Sequence, residues 1–324
     1  VLIAGAMFPE ERTWGVNWWA HLPEFVLFLL PSVAVLAGYL FSRYSPEPPQ
    51  PAALSKRWVV LSVLTSALVC TALFYVLRVA THFHGDGYLL LHFVRQEQPT
   101  IVFHALLGQL LPWLISHGLL DGSAAAGESA YRVISYVAGA LFVAITVWQS
   151  LRFYSDRTTA GLFALGVISS GVVVLFFGYV ENYALFNLAV VGFLFAGLNV
   201  AKGTAPAWLP LLLSVVAVAF HVFGLALVPA ALFLLLRDSR LWHTVERSGV
   251  LRWVLLVAGL AAGAALHFWI YYTNLTFRLR FLPVWPDSFT ADGYWLLSGA
   301  HLLDFLNLLF LLLPGWLLLA VFVD

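Results

Sequence analysis

Apolar runs alternate with short polar interruptions along most of the chain. Trp58–Val79, Tyr131–Ser150, Gly161–Phe177, Tyr183–Ala201, Val250–Tyr271 and Ala300–Val323 are such runs. About twenty apolar residues in a helix cross a hydrocarbon core of about 30 Å, so each predicts a membrane span. His21–Phe41 predicts another, and Val1–Phe8 reads as the last two turns of one more. Between the N-terminal runs, Pro9–Pro23 is a polar loop whose Trp14, Trp18 and Trp19 suit a membrane interface. Arg43–Arg57 is rich in proline and reads as a solvated linker.

Two runs do not fit a single span. The run from Ala205 to Leu236 is too long and is broken at His221 and Gly224. It predicts a hairpin of two short helices with His221 near the turn. Ile101–Leu119 is long enough to cross but carries His104, Gln109, Pro112 and His117. It predicts an interfacial or re-entrant element that does not cross the bilayer.

The pattern therefore predicts an all-α fold. It is a polytopic integral membrane bundle of about nine or ten transmembrane helices, with interfacial helices at the outer face. Composition agrees. Of 324 residues, 62% are hydrophobic and 10% charged, and mean hydropathy is +0.91. A soluble domain is about 25% charged. Formal net charge is zero, which argues against a nucleic-acid partner. Cys70, the single cysteine, lies in an apolar run and supports neither a disulfide framework nor a thiolate metal site. Val1 and Asp324 both abut apolar runs, so the expectation is a segment of a longer protein.

Charge sets the expected orientation. With 101–119 interfacial and 205–236 a hairpin, ten of the sixteen Lys and Arg residues fall in cytoplasmic loops. This bias follows the positive-inside rule. It places 43–57 and 237–249 in the cytoplasm and 272–298 outside. Asp86, Arg95, Glu181, His221, Arg278, Arg280 and His301 then gather at the outer face.

Several stretches carry candidate chemistry. In HFHGDGY, His82–Tyr88, Asp86 stands between two glycines at a span end, and an acid in a membrane domain is a functional candidate. The plain alternative is a polar loop that ends a helix. In FGYVENY, Phe177–Tyr183, Glu181 and Asn182 close one span and open the next. They read either as a capping pair or as a second acid facing Asp86. In HLLDFLN, His301 and Asp304 share a helix face, and His301 is the nearest partner for Asp304. Arg278 and Arg280 in TFRLRF would grip a phosphate, or snorkel to lipid headgroups. His82 and His84 with Asp86 are weak candidates for an open divalent metal site. His104 and His117 have a spacing found on haem-carrying helices, but Pro112 separates them and no second facing pair is evident.

The order of these features resembles the GT-C superfamily of polyprenyl-phosphate-dependent glycosyltransferases, of the protein mannosyltransferase and aminoarabinose transferase kind. A span delivers Asp86 to an outer loop, and RQEQP, Arg95–Pro99, and an interfacial stretch follow. A span opening with Tyr131–Arg132, a basic loop LRFYSDR and an acid, Glu181, at the start of a later helix complete the likeness. Many members carry two adjacent acids where this chain has Asp86 and Gly87, and two prolines where it has Pro99 and Thr100.

The resemblance implies a catalytic module over 58–324, with the spans and linker of 1–57 additional to it. It implies sugar transfer from a polyprenyl-phosphate donor to an acceptor at the outer face of a bacterial inner membrane. Asp86 takes the place of the catalytic base or metal-binding acid, and Glu181 that of the assisting acid. Arg95 takes the place of a phosphate contact, and Tyr88, Asn182, Arg278, Arg280 and His301 are further substrate-binding candidates. A divalent metal is compatible with this reading. The competing classes are a non-enzymatic subunit of a larger membrane complex and a transporter. A transporter needs polar groups near the midplane.

Overall fold

The computed structural model describes Ser32 and residues 55–81, 86–100, 103–236, 247–273 and 294–312. The expected N-terminal spans, most of the proline-rich linker, His82, His84, Arg278 and Arg280 lie outside the described residues, as do 237–246 and 274–293. All regular structure among the described residues is helical. The chain divides into two compact units, Glu47–Asp238 and a second built from Val1–Pro46 and Ser239–Asp324.

In the first unit α1 covers Lys56–Val76, with Ser55 as its N-cap. Phe74 is its one buried residue, while Leu61, Leu64 and Leu68 are exposed. An apolar helix with so little burial suits a lipid environment rather than water. The short helix α2, Gly87–Val94, follows. A 3₁₀ turn, Phe103–Ala105, leads into α3, Leu106–Gly118. The long helix α4, Ala124–Phe153, is capped by Ser123, whose Oγ accepts from the Ala126 N–H at 3.1 Å. Then come α5, Arg157–Ile168, and a 3₁₀ segment, Gly171–Phe176. Helix α6 covers Tyr183–Ala201 and α7 Trp208–Phe220. A 3₁₀ segment, Val222–Leu227, joins α7 to α8, Val228–Leu236. In the second unit, α9 covers Gly249–Thr273 and α10 Gly299–Leu312.

Among the described residues, α1, α4 and α6 are long and apolar enough to cross a membrane. Helix α4 is the hub of the first unit: α1, α3, α5 and α6 all pack on it. The core shared by α1, α4, α6 and the 3₁₀ segment Gly171–Phe176 is Phe74, Ala138, Phe142, Val143, Phe176 and Ala184, with Val167 and Ile168 of α5 packed against it. Gly139 lets α1 close on α4, because a Cβ there would stand 2.7 Å from both the Phe74 ring and Phe176 Cβ.

Three local results bear on the sequence reading. The run 161–177 is not one spanning helix. It stops at Ile168 and resumes as 3₁₀, because Ser135 clamps the far end: its Oγ donates to Leu175 O at 2.8 Å and accepts from the Gly178 N–H at 2.9 Å. The 101–119 run forms a helix of 13 residues. It rises about 20 Å, short of a full crossing. Its buried face is Gly108, Gln109, Pro112 and Ser116, while Leu106 and Leu114 are exposed. Polar and small groups thus face the protein, and leucines face away. The 205–236 run is broken at His221, as its sequence predicts. His221 has extended backbone, and the following 3₁₀ segment doubles back so closely that a Cβ at Gly224 would lie 2.4 Å from Val218 N.

Candidate functional site

The segment 177–182 is non-helical backbone between the 3₁₀ turn and α6. Its backbone groups need partners other than those of a helix. Here Ser135 anchors it, Gly178 adopts φ 73°, and Tyr179 and Val180 are buried. Val180 joins Leu90, Leu91, Val94 and Tyr131 in a second small core. That core fixes α2 against α4 and brings the start of α2 to Glu181.

The two candidate acids meet there. The Asp86 N–H donates to Glu181 Oε1 at 3.0 Å, and the Asn182 N–H donates to Oε2 at 3.3 Å. Glu181 is 8% exposed, whereas Asp86 is exposed. Burial raises the Glu181 carboxyl above its ordinary range. The two N–H donors pull it back down, and the nearby Asp86 charge raises it further. One acid is therefore dry and held by amides, and the other is open to its surroundings.

The capping reading of Glu181 and Asn182 is not what the structure contains. Asn182 occupies the N-cap position of α6 but its side chain caps nothing. Its Oδ1 instead accepts from the Tyr131 hydroxyl at 3.4 Å. Asp86 likewise sits at the N-cap of α2 without a side-chain cap.

A second cluster adjoins this one. Gly108 of α3 lies against both clusters: a Cβ there would be 3.1 Å from Asn182 Cβ and 3.0 Å from Phe220 O. Beyond Phe220, His221 is 6% exposed and ringed by Tyr183, Phe186, Phe223 and His104, with centroids 4.9, 5.7, 4.5 and 5.9 Å away. Its Nδ1 accepts from the Phe223 N–H at 3.2 Å, so in the neutral ring Nε2 carries the proton. Tyr183 links the clusters, following Asn182 in sequence and packing on His221. Sequence reading did not single out Tyr183, and it tied His104 to His117 rather than to His221. The signal for Tyr183 is only its adjacency to Glu181.

The other candidates separate. Arg95 is the C-cap of α2, about 13 Å along the helix from Asp86. Tyr88 is on the exposed side of the same helix. His301 and Asp304 belong to the second unit and do not pair as expected. Asp304 accepts from the Tyr294 hydroxyl at 2.6 Å, and His301 Nδ1 lies 2.6 Å from Leu296 O. The Tyr294 ring also packs edge-on against His301, with centroids 5.6 Å apart. His117 stacks on Trp113 at 4.7 Å, away from the His104 cluster. Among the described residues no group of three or more His, Cys, Asp and Glu is placed to hold a metal.

Comparison with protein-family models, with curated proteins and with solved structures finds no match for the chain. Among the described residues the regular structure is helical, three helices are long and apolar enough to cross a membrane, and the Asp86 backbone meets the Glu181 carboxylate.

Proposed function

We propose that the chain is a membrane glycosyltransferase that moves a sugar from a polyprenyl-phosphate donor to a hydroxyl acceptor at the outer face of the membrane. One observation supports it above the rest: the N–H of Asp86 reaches the Glu181 carboxylate across 95 residues of sequence. It supports a division of labour between two acids in different environments.

In this reading the exposed Asp86 carboxylate takes the acceptor hydroxyl proton as that oxygen attacks the anomeric carbon. The carbon–oxygen bond to the lipid phosphate breaks, and the phosphate leaves with the electron pair. Glu181 holds the Asp86 backbone and the start of α6 in place. Tyr183 and the Nε2–H of His221 supply donors for sugar hydroxyls. The exposed guanidinium of Arg95 would meet the phosphate charge.

The test is sugar transfer from a polyprenyl-phosphate-linked donor by the purified protein in detergent. Transfer by the native chain, lost in Asp86→Asn, supports the proposal. Absence of transfer from every polyprenyl-linked sugar offered, with a correctly folded protein, favours a non-enzymatic subunit instead.

A further inference from the structure

At the opposite end of the first unit, α1 and α5 each pack against α4 and leave a slot between them. The slot has a volume of about 550 Å³. Ser62, Ser66 and Cys70 from α1 and Ala160, Gly161 and Ala164 from α5 line it, beside the larger Val69, Leu165 and Ile168. Val147 and Ser150 of α4 form the floor. From Trp58 to Cys70 the slot follows α1 for about 18 Å, close to half of a hydrocarbon core of about 30 Å. Its length is thus slightly more than that of one leaflet.

The mouth carries charge. Arg157 lines it beside Trp58 and makes no ion pair with any described residue. Lys56 and Arg57 open α1 at the same end, Arg152 lies in the last turn of α4, and Lys202 reaches over the Phe153 ring at 4.2 Å. The acid among them is Asp156, whose carboxylate is occupied as the cap of α5 by the Thr159 N–H. Asp86 and Glu181 are at the other end of α1, a helix of 21 residues that rises about 30 Å.

We propose that this slot binds an anionic phospholipid of the adjacent leaflet. One acyl chain lies between α1 and α5, and its phosphate is held by Arg157 at the mouth. The charge selects the occupant. A helix of another protein would bury these cations, whereas a lipid phosphate neutralises them at the interface, where basic clusters favour anionic headgroups. The leucines of α1 outside the slot already face a lipid-like environment, so a chain enters sideways without opening the fold.

The experiment uses the full chain in detergent with photoreactive phosphatidylglycerol, and phosphatidylcholine of the same acyl chain as comparator. Adducts mapping to peptides 58–70 and 157–168 are expected, with phosphatidylglycerol favoured. Arg157→Gln should reduce that preference about fivefold, since one basic group at the surface contributes about 1 kcal/mol. Arg157→Lys should retain it. Gly161→Leu should abolish labelling in both peptides. A Cβ at Gly161 meets nothing within 4 Å, so the added side chain fills the slot and leaves the packing intact. Labelling unchanged by Gly161→Leu, or equal for both lipids in the native chain, overturns the proposal. Displacement of the label by polyprenyl phosphate at lower concentrations than by unlabelled phosphatidylglycerol also overturns it, and assigns the slot to the donor.

Discussion

Tyr131 and Asn182, 51 residues apart, meet through a 3.4 Å hydrogen bond from the phenol to the amide oxygen. The bond draws the Asn182 side chain away from the helix end that it would otherwise cap. The first turn of α6 therefore depends on α4. It also leaves both backbone N–H groups nearest Glu181, those of Asp86 and Asn182, pointing at one carboxylate.

Tyr131→Phe removes the donor and leaves the rest of a 2% exposed ring in place. The expected loss is about 1 kcal/mol of stability, the usual net value of a single hydrogen bond. Denaturant titration of the detergent-solubilised protein measures it. A loss near zero would mean that Asn182 finds another donor without cost.

Ser135→Ala should cost more, about 1–3 kcal/mol. One hydroxyl serves two backbone groups, Leu175 O and the Gly178 N–H, and its removal leaves both without that partner in a buried turn. Gly178→Ala should be damaging for another reason. Its φ of 73° is a conformation that a side chain resists, and the new Cβ would lie 2.8 Å from the Tyr136 hydroxyl. Both variants should loosen the Glu181 segment, seen as faster proteolysis or amide exchange over 177–182. Unchanged exchange in either variant would show that the clamp does not hold the site.

The pH dependence of stability has a definite sign. The folded Glu181 carboxyl sits above its unfolded value because burial outweighs its two N–H donors. Between those two values the native state holds the proton more tightly than the unfolded chain does. The contribution is therefore fully present below the unfolded value, and it is lost as pH rises through the folded one. In Glu181→Gln this component should vanish. Unfolding measured from about pH 4 upward, relative to the native chain, reads it. A native chain that gains stability from this group with rising pH would show that the donors dominate.

The legibility of these features from sequence was uneven, for physical reasons. Helix α6 begins at Tyr183 and ends at Ala201, as its apolar run predicts, because Glu181–Asn182 and Lys202 bound it sharply. The break at His221 was equally plain. The 3₁₀ turn at 171–176 was not, because Val172, Val173 and Val174 fit a spanning helix as well as they fit a turn, and Ser135 decides between them from 40 residues away. The proximity of Asp86 and Glu181 rests on two weak, separated motifs and on the packing of Leu90, Leu91 and Val94 against Tyr131 and Val180. No local pattern encodes that contact. The Tyr294–Asp304 bond was missed because helical spacing pointed to His301, while the actual partner precedes the helix.

The last prediction concerns how the two acids share the proposed reaction. Asp86→Asn keeps the shape and the backbone N–H to Glu181 and removes proton acceptance. Loss of a general base costs about 10²–10⁴-fold in rate. Glu181→Gln keeps one acceptor oxygen for the Asp86 N–H but presents an amide to the second donor, the Asn182 N–H. It should lower transfer less than Asp86→Asn, chiefly by misplacing the start of α2. Because Glu181 acts through the backbone of Asp86, the two losses should not add: in the double variant, Glu181→Gln should cost little once the base is gone. Transfer rates of the four proteins, at saturating donor and acceptor, complete the cycle. Strict additivity would show that the acids act independently. A larger loss from Glu181→Gln than from Asp86→Asn would make the buried acid the base and reverse the assignment.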